Sequence, residues 1–441
     1  MMQSADLSRR DLLKLAAATP LLGIAGLAAK TARMPAYPPG FLWGTATAGH
    51  QVEGNNTASD MWLLEQVEGT LFAEPSGDAC DSLHRWGEDM DIVRSLGLGS
   101  YRFSVEWARV EPEEGKFSVA FLDHYLRMVE GCHARGLVPV VTFHHFSSPR
   151  WFAARGGWTN ADAPRLFARF CQRVAGYFGD GIGHALTFNE PNLPWLGKWS
   201  ATPMSAEALA MVNAMLAKAA KACGSDKFSL LHAGDPEPML DNVLQAHRQA
   251  RAAIKAERAA IQVGLSLALP DDQAVGRNSR IAEKRKQVYE PFFDAGRDDD
   301  FIGVQTYNRS RIDAKGTLPK PAGAESTQVG DEFYPAALGG AIRYAHRATG
   351  KPVLVTENGI AATDDALRQR FLPAALQSMD AAIADGVPVL GYLHWSLLDN
   401  FEWLAGYGPK FGLVAVDRST FKRTPKPSAA LYAELVKARS P

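Results

Sequence analysis

Cysteine is scarce in this chain: four residues in 441, Cys80, Cys132, Cys171 and Cys223, with no CxxC or Cys/His ligand spacing among them. That scarcity excludes a zinc ribbon and a disulfide-stapled scaffold, and leaves two structural disulfides as an open alternative. An excess of one charge is lacking too. Against 48 Asp and Glu stand 47 Lys and Arg, a formal net charge of −1, so no bulk field gathers a polyanion and nucleic acid is not an expected partner. The chain has no long apolar run. Its most apolar stretch, ending near Ala29, is broken by Lys14 and Pro20 and falls short of the roughly 20 residues a spanning helix needs. Low-complexity linkers, internal repeats, GxGxxG loops and HExxH spacings are absent, so no dinucleotide and no metal cofactor is expected.

What is present is an ordinary globular composition, 46% hydrophobic, with 10% aromatic residues that suit a pocket stacking against flat rings. Residues 1–30 have the layout of a leader. Arg9-Arg10 precede a short, alanine-rich apolar segment, which resembles a twin-arginine signal. That resemblance implies export of the folded protein, the twin-arginine export machinery as a partner, and a bacterial periplasmic destination.

Across residues 31–441 eight short apolar runs alternate with longer amphipathic stretches. The runs are 41–46, 100–105, 138–143, 184–188, 262–267, 301–307, 352–356 and 389–393. Between them apolar residues recur at three and four over 85–96, 119–135, 163–178, 245–260, 335–349 and 366–384, which predicts helices. Strands alternating with helices over about 400 residues predict an α/β fold, a single (β/α)8 TIM barrel, with its site at the carboxyl ends of the strands. Those ends are polar. The third run meets His144-His145, the fourth Asn189-Glu190-Pro191, the sixth Tyr307-Asn308, the seventh Glu357-Asn358-Gly359 and the eighth His394-Trp395-Ser396. A lone strand-end acid is usually a cap or a surface group, but convergence of several on one barrel face marks a site.

The segments Thr187-Phe188-Asn189-Glu190-Pro191 and Val355-Thr356-Glu357-Asn358-Gly359 resemble the two signatures of glycoside hydrolase family 1, the β-glucosidase family. Residues 41–54, 80–86, 101–107, 394–403 and 410–413 are similar to further family segments, in the family's order, so the resemblance spans roughly residues 37 to 436. It implies a retaining β-glycosidase acting on β-glucosides, without a cofactor, with Glu190 as acid/base and Glu357 as nucleophile, their carboxyls about 5 to 5.5 Å apart. At that separation two carboxylates repel by roughly 3 kcal/mol at an effective dielectric near 20, so an ionised Glu357 is expected to keep Glu190 protonated. Arg102 matches a family arginine beside the nucleophile, and Tyr307 a tyrosine that hydrogen-bonds it. Gln51, His145, Asn189, Glu402 and Trp403 match contacts to sugar hydroxyls, Trp395 the stacking platform, and Phe411 a wall of the pocket. Because a carboxylate repels phosphate, Glu402 implies an unphosphorylated sugar. The same residues would serve a transglycosylase, and a sugar-binding sensor that has lost turnover is the reading from another class.

Several positions depart from the family pattern: His50 for Tyr, Gln305-Thr306-Tyr307 for Asn-Tyr-Tyr, Phe146-Ser147-Ser148 after His145, and Asp331 where a tryptophan often flanks the leaving group. The family's usual loop is also missing around residues 195–203, where Trp195 or Trp199 is expected to supply aromatic surface.

Overall fold

The computed structural model describes residues 35–440, so the expected signal segment lies outside the described residues. Each of the eight apolar runs becomes a strand: β1 (Leu42–Ala46), β2 (Ser100–Ser104), β3 (Val138–His144), β4 (His184–Asn189), β5 (Gln262–Ala268), β6 (Phe301–Gln305), β7 (Val353–Asn358) and β8 (Val389–Trp395). All pair in parallel and close on themselves in the order β1-β8-β7-β6-β5-β4-β3-β2. Both faces of such strands are covered, which is why they read as nearly continuous apolar runs.

Side chains alternate between the two faces of a strand, so one parity fills the barrel. Leu42, Val140, Leu186, Phe301, Leu354 and Leu393 form that interior cluster. The same parity, carried to the carboxyl ends, aims Gln305 of β6 and Trp395 of β8 at the open mouth. Toward the mouth the ladder is irregular: the register shifts between Val355 and Glu357 of β7, and between Leu186 and Asn189 of β4. A bulge of this kind re-aims the residue that follows it.

The outer layer consists of helices whose apolar faces pack on the strands. Helix Ala163–Phe178 lies against helix Leu240–Glu257, and Trp107, Phe152, Trp158 and Phe167 form an aromatic cluster with ring centroids 4.8–6.5 Å apart. Side chains of Ser118, Ser205 and Asp364 cap helix starts by accepting backbone N–H bonds. Helix Leu240–Glu257 begins ahead of the Gln245 expected from periodicity, because Leu240 and Val243 add apolar anchors on the same face. No described helix is long and apolar enough to cross a membrane. All four cysteines are free thiols, three of them buried, so the open disulfide alternative is not realised. Burial pushes the thiols of Cys80 and Cys132 up to about 12.

Candidate active site

At the carboxyl ends of the strands lies a cavity of about 300 Å³, large enough for one sugar ring. Glu357, next to last in β7, is gripped from three sides. Arg102 Nη1 donates to its Oε1 at 2.6 Å, Gln305 Nε2 to the same oxygen at 2.9 Å, and the Tyr307 hydroxyl to Oε2 at 2.6 Å. Arg102, wholly buried in the middle of β2, also donates to Asn189 Oδ1 at 2.5 Å and to Thr142 Oγ1 at 2.9 Å. A guanidinium only donates, so the Asn189 carbonyl must face Arg102 and its amide nitrogen is left to face elsewhere.

Glu190 follows β4, with a backbone φ of +46°, and the side chains of the described residues offer its carboxyl no hydrogen bond comparable to those on Glu357. Burial, then the charge of Glu357, push the Glu190 pKa well above the usual carboxylate range, against a weaker pull from Arg102. Burial raises Glu357 too, but Arg102, Tyr307 and Gln305 all pull it back. The pair is therefore asymmetric: burial and the neighbouring charge hold Glu190 up, while three donors pull Glu357 back. Repulsion was the cause expected for this; burial is the larger one.

The floor is polar and aromatic. All seven expected substrate contacts, Gln51, His145, Asn189, Trp395, Glu402, Trp403 and Phe411, line the cavity together with Glu190, Tyr307 and Glu357. Arg102 does not line it and supports Glu357 and Asn189 from beneath. His145 stacks on Trp395 with centroids 5.7 Å apart and rings 19° from parallel, and Trp403 stacks in turn on His50 at 5.5 Å and 6°. Burial, helped by the Arg102 charge, holds His145 well below the ordinary histidine range, so its imidazole is neutral. Among the described residues, Gln51 Oε1, His145 Nδ1, Gln305 Oε1 and Glu402 Oε1 have no hydrogen-bond partner although each atom is buried. Buried polar atoms are nearly always paired, so four orphans around one cavity describe a surface built for a polyhydroxylated ring. Three cavity residues, Phe146, Glu190 and Trp403, have positive φ, a conformation that costs about 1–3 kcal/mol each and that packing must hold in place.

The sequence profile of glycosyl hydrolase family 1 matches residues 34–233 and 297–441. This chain belongs to glycosyl hydrolase family 1. It is a retaining β-glycosidase on a closed parallel barrel. A β-glucosidase of Agrobacterium sp. is 30% identical to it over 442 aligned residues, covering 90% of this chain and 95% of the relative. A solved β-glucosidase structure superimposes with a TM-score of 0.88 at 46% identity, covering 91% of this chain and 99% of that one. A crystallised β-glycosidase does so with a TM-score of 0.87 at 50% identity, covering 92% and 98%. The stretch the family profile skips, residues 234–296, still supplies β5 and, with it, Ala268 at the cavity wall.

Two expectations for the family 1 enzyme need correction. Neither Trp195 nor Trp199 lines the cavity. Trp195 is buried edge-on against Phe292, 5.5 Å between centroids, while Trp199 donates from Nε1 to Gln287 at 2.9 Å and lies under Arg280. The short helix Leu193–Lys198 turns Leu193 and Leu196, three apart on one face, to the cavity instead, and ends before Trp199. Sequence reasoning also missed Gln305 as a site residue, noting it only as a departure; its place on the inward parity of β6 was the available signal.

Proposed function

We propose that the enzyme hydrolyses unphosphorylated β-glucosides, with β-galactosides and β-fucosides within its range, by double displacement. Glu190 is the acid/base and Glu357 the nucleophile, and the observation that carries this assignment is their unequal hydrogen bonding. Three donors stabilise negative charge on Glu357, so it stays ionised and can attack the anomeric carbon. Glu190, buried and without such donors, keeps its proton and gives it to the departing oxygen. As the glycosyl–Glu357 ester forms, the negative charge on Glu357 disappears and Glu190 loses one of the causes that held its pKa up. The same carboxylate can then take a proton from the water that frees the sugar. The Asn189 amide nitrogen is available to the 2-hydroxyl, and Gln51, His145 and Glu402 to the hydroxyls on the floor. Cavity-lining residues include no Lys or Arg to neutralise a phosphate, in keeping with a neutral sugar.

Azide tests the assignment. Shortening Glu357 to Ala opens the α face, so azide attacks there in a single displacement and gives the α-glycosyl azide. With Glu190→Ala the nucleophile still loads from an activated aryl glucoside, azide enters from the β face, and the product is the β-glycosyl azide. The same anomer from both variants, or wild-type rates in either, would overturn the roles.

We also propose that residues 1–30 direct twin-arginine export to a bacterial periplasm, on the strength of Arg9-Arg10 ahead of the short apolar segment. Replacing both with Lys is expected to retain the enzyme in the cytoplasm; undiminished periplasmic activity would reject the proposal.

A further inference from the structure

The cavity has two unlike ends. Its floor, at Gln51 and Trp395, is buried, whereas Asp331 adjoins the exposed residues Gln328–Gly330 and so stands at the rim. Under the proposed function, on which this inference rests, a sugar seated on the floor directs its leaving group past Glu190 toward that rim. Leu193, Leu196, Leu269 and Pro270 supply apolar lining. Asn308 and Asp331 add polar lining.

Asp331 sits on a hairpin whose other acids are paired. Glu325 bonds with Arg370, and Glu332 accepts two bonds from Arg309, at 2.6 and 2.9 Å. Lys320, the remaining nearby cation, bonds to the Gly330 carbonyl at 2.9 Å and to Ser326. Among the described residues Asp331 has no ion pair: the Asn308 side chain hydrogen-bonds its carboxyl, burial raises its pKa while Asn308 and the Lys320 charge pull it back, and the residue lines the cavity. The hairpin is also held in place: Thr327 N–H bonds to the Asp331 carbonyl at 2.8 Å, and the Gln328 amide donates to the Gly408 carbonyl at 2.8 Å while accepting from Lys410 N–H at 2.9 Å. A fixed carboxylate beside the exit, with no cation bonded to it, is a repulsive element as well as an attractive one.

We infer that Asp331 selects the leaving group by charge, rejecting anionic leaving groups and favouring those that present a hydroxyl or an ammonium toward it. Together with Glu190, Glu357 and Glu402 it places four acids and no Lys or Arg along the whole cavity. Discrimination therefore extends beyond the sugar itself to what the sugar is attached to.

The test uses three nitrophenyl β-glucosides of matched phenol acidity, carrying a hydroxymethyl, an aminomethyl or a carboxylate substituent. For the wild-type enzyme kcat/KM should be about tenfold or more lower for the carboxylate than for the other two. Asp331→Asn should bring the three within about twofold, and Asp331→Glu should restore the difference. Departure of the phenol precedes hydrolysis of the glycosyl enzyme, so where the second step limits, kcat should stay common to all three substrates and unchanged in the variant. Discrimination retained in Asp331→Asn, or kcat lowered equally for all three, would overturn the assignment of Asp331 alone. Failure of the wild-type enzyme to turn over any of the three would overturn the glycosidase reading along with it.

Discussion

Gln305 holds one amide nitrogen between two oxygens, Asn189 Oδ1 at 2.6 Å and Glu357 Oε1 at 2.9 Å. Both acceptors are also bonded by Arg102, so the amide cannot turn its carbonyl toward them without facing oxygen with oxygen. Gln305 thus ties the proposed nucleophile to the proposed 2-hydroxyl contact. Gln305→Glu keeps the length but sets a second carboxylate against Glu357, which raises the pKa of Glu357. Because attack needs the ionised form, the acid limb of the kcat/KM profile should move to higher pH, by about one unit. A pH profile on an aryl glucoside checks this; an unmoved acid limb would remove Gln305 from the machinery. The sequence made Glu190, Glu357 and Arg102 visible because each stands in a recognisable segment, the two acids at the carboxyl ends of their strands and Arg102 within β2. It hid what Gln305 does, since only the register of β6 against β7 brings residue 305 beside residue 357. His50 is a similar case: its Nε2–Glu65 bond at 2.8 Å and its stack on Trp403 join residues far apart in the chain.

The barrel strands were legible at the level of elements because burial on both faces leaves a continuous apolar trace. Their carboxyl ends were read short. β4 runs on to Asn189, β7 to Asn358 and β8 through His394-Trp395, since polar residues that face the cavity resemble loop residues in a sequence. The sixth run was read long instead, for β6 stops at Gln305 and the chain turns before Tyr307. The small sheet of 271–274, 309–312 and 317–318 left no periodic signal, its strands being too short to show alternation. Short helices such as Leu193–Lys198 escaped for the same reason, and with them the correct side of the passage walls. These added pieces carry the rim, so the element scale is where sequence reading lost specificity and kept chemistry.

At the scale of the whole molecule, a closed sheet leaves no barrel strand edge free, and the near balance of charge gives no long-range field; selectivity is concentrated in the cavity. The thiols report on that same molecule in another way. Cys80 lies in a loop with Sγ against the Asp399 carbonyl, Cys132 and Cys171 sit under the helices Val119–Ala134 and Ala163–Phe178, and half-buried Cys223 closes helix Ala206–Ala222. Burial raises all four thiol pKa values, so little thiolate exists at neutral pH and alkylation of the buried three must wait for their segments to open. Under native conditions iodoacetamide should therefore mark Cys223 first, with the other three slower by orders of magnitude, as peptide mass analysis over time would record. Equal labelling of all four would mean that opening is global. Otherwise the scarce cysteines serve as four clocks, each timing the breathing of a different part of the shell around the barrel.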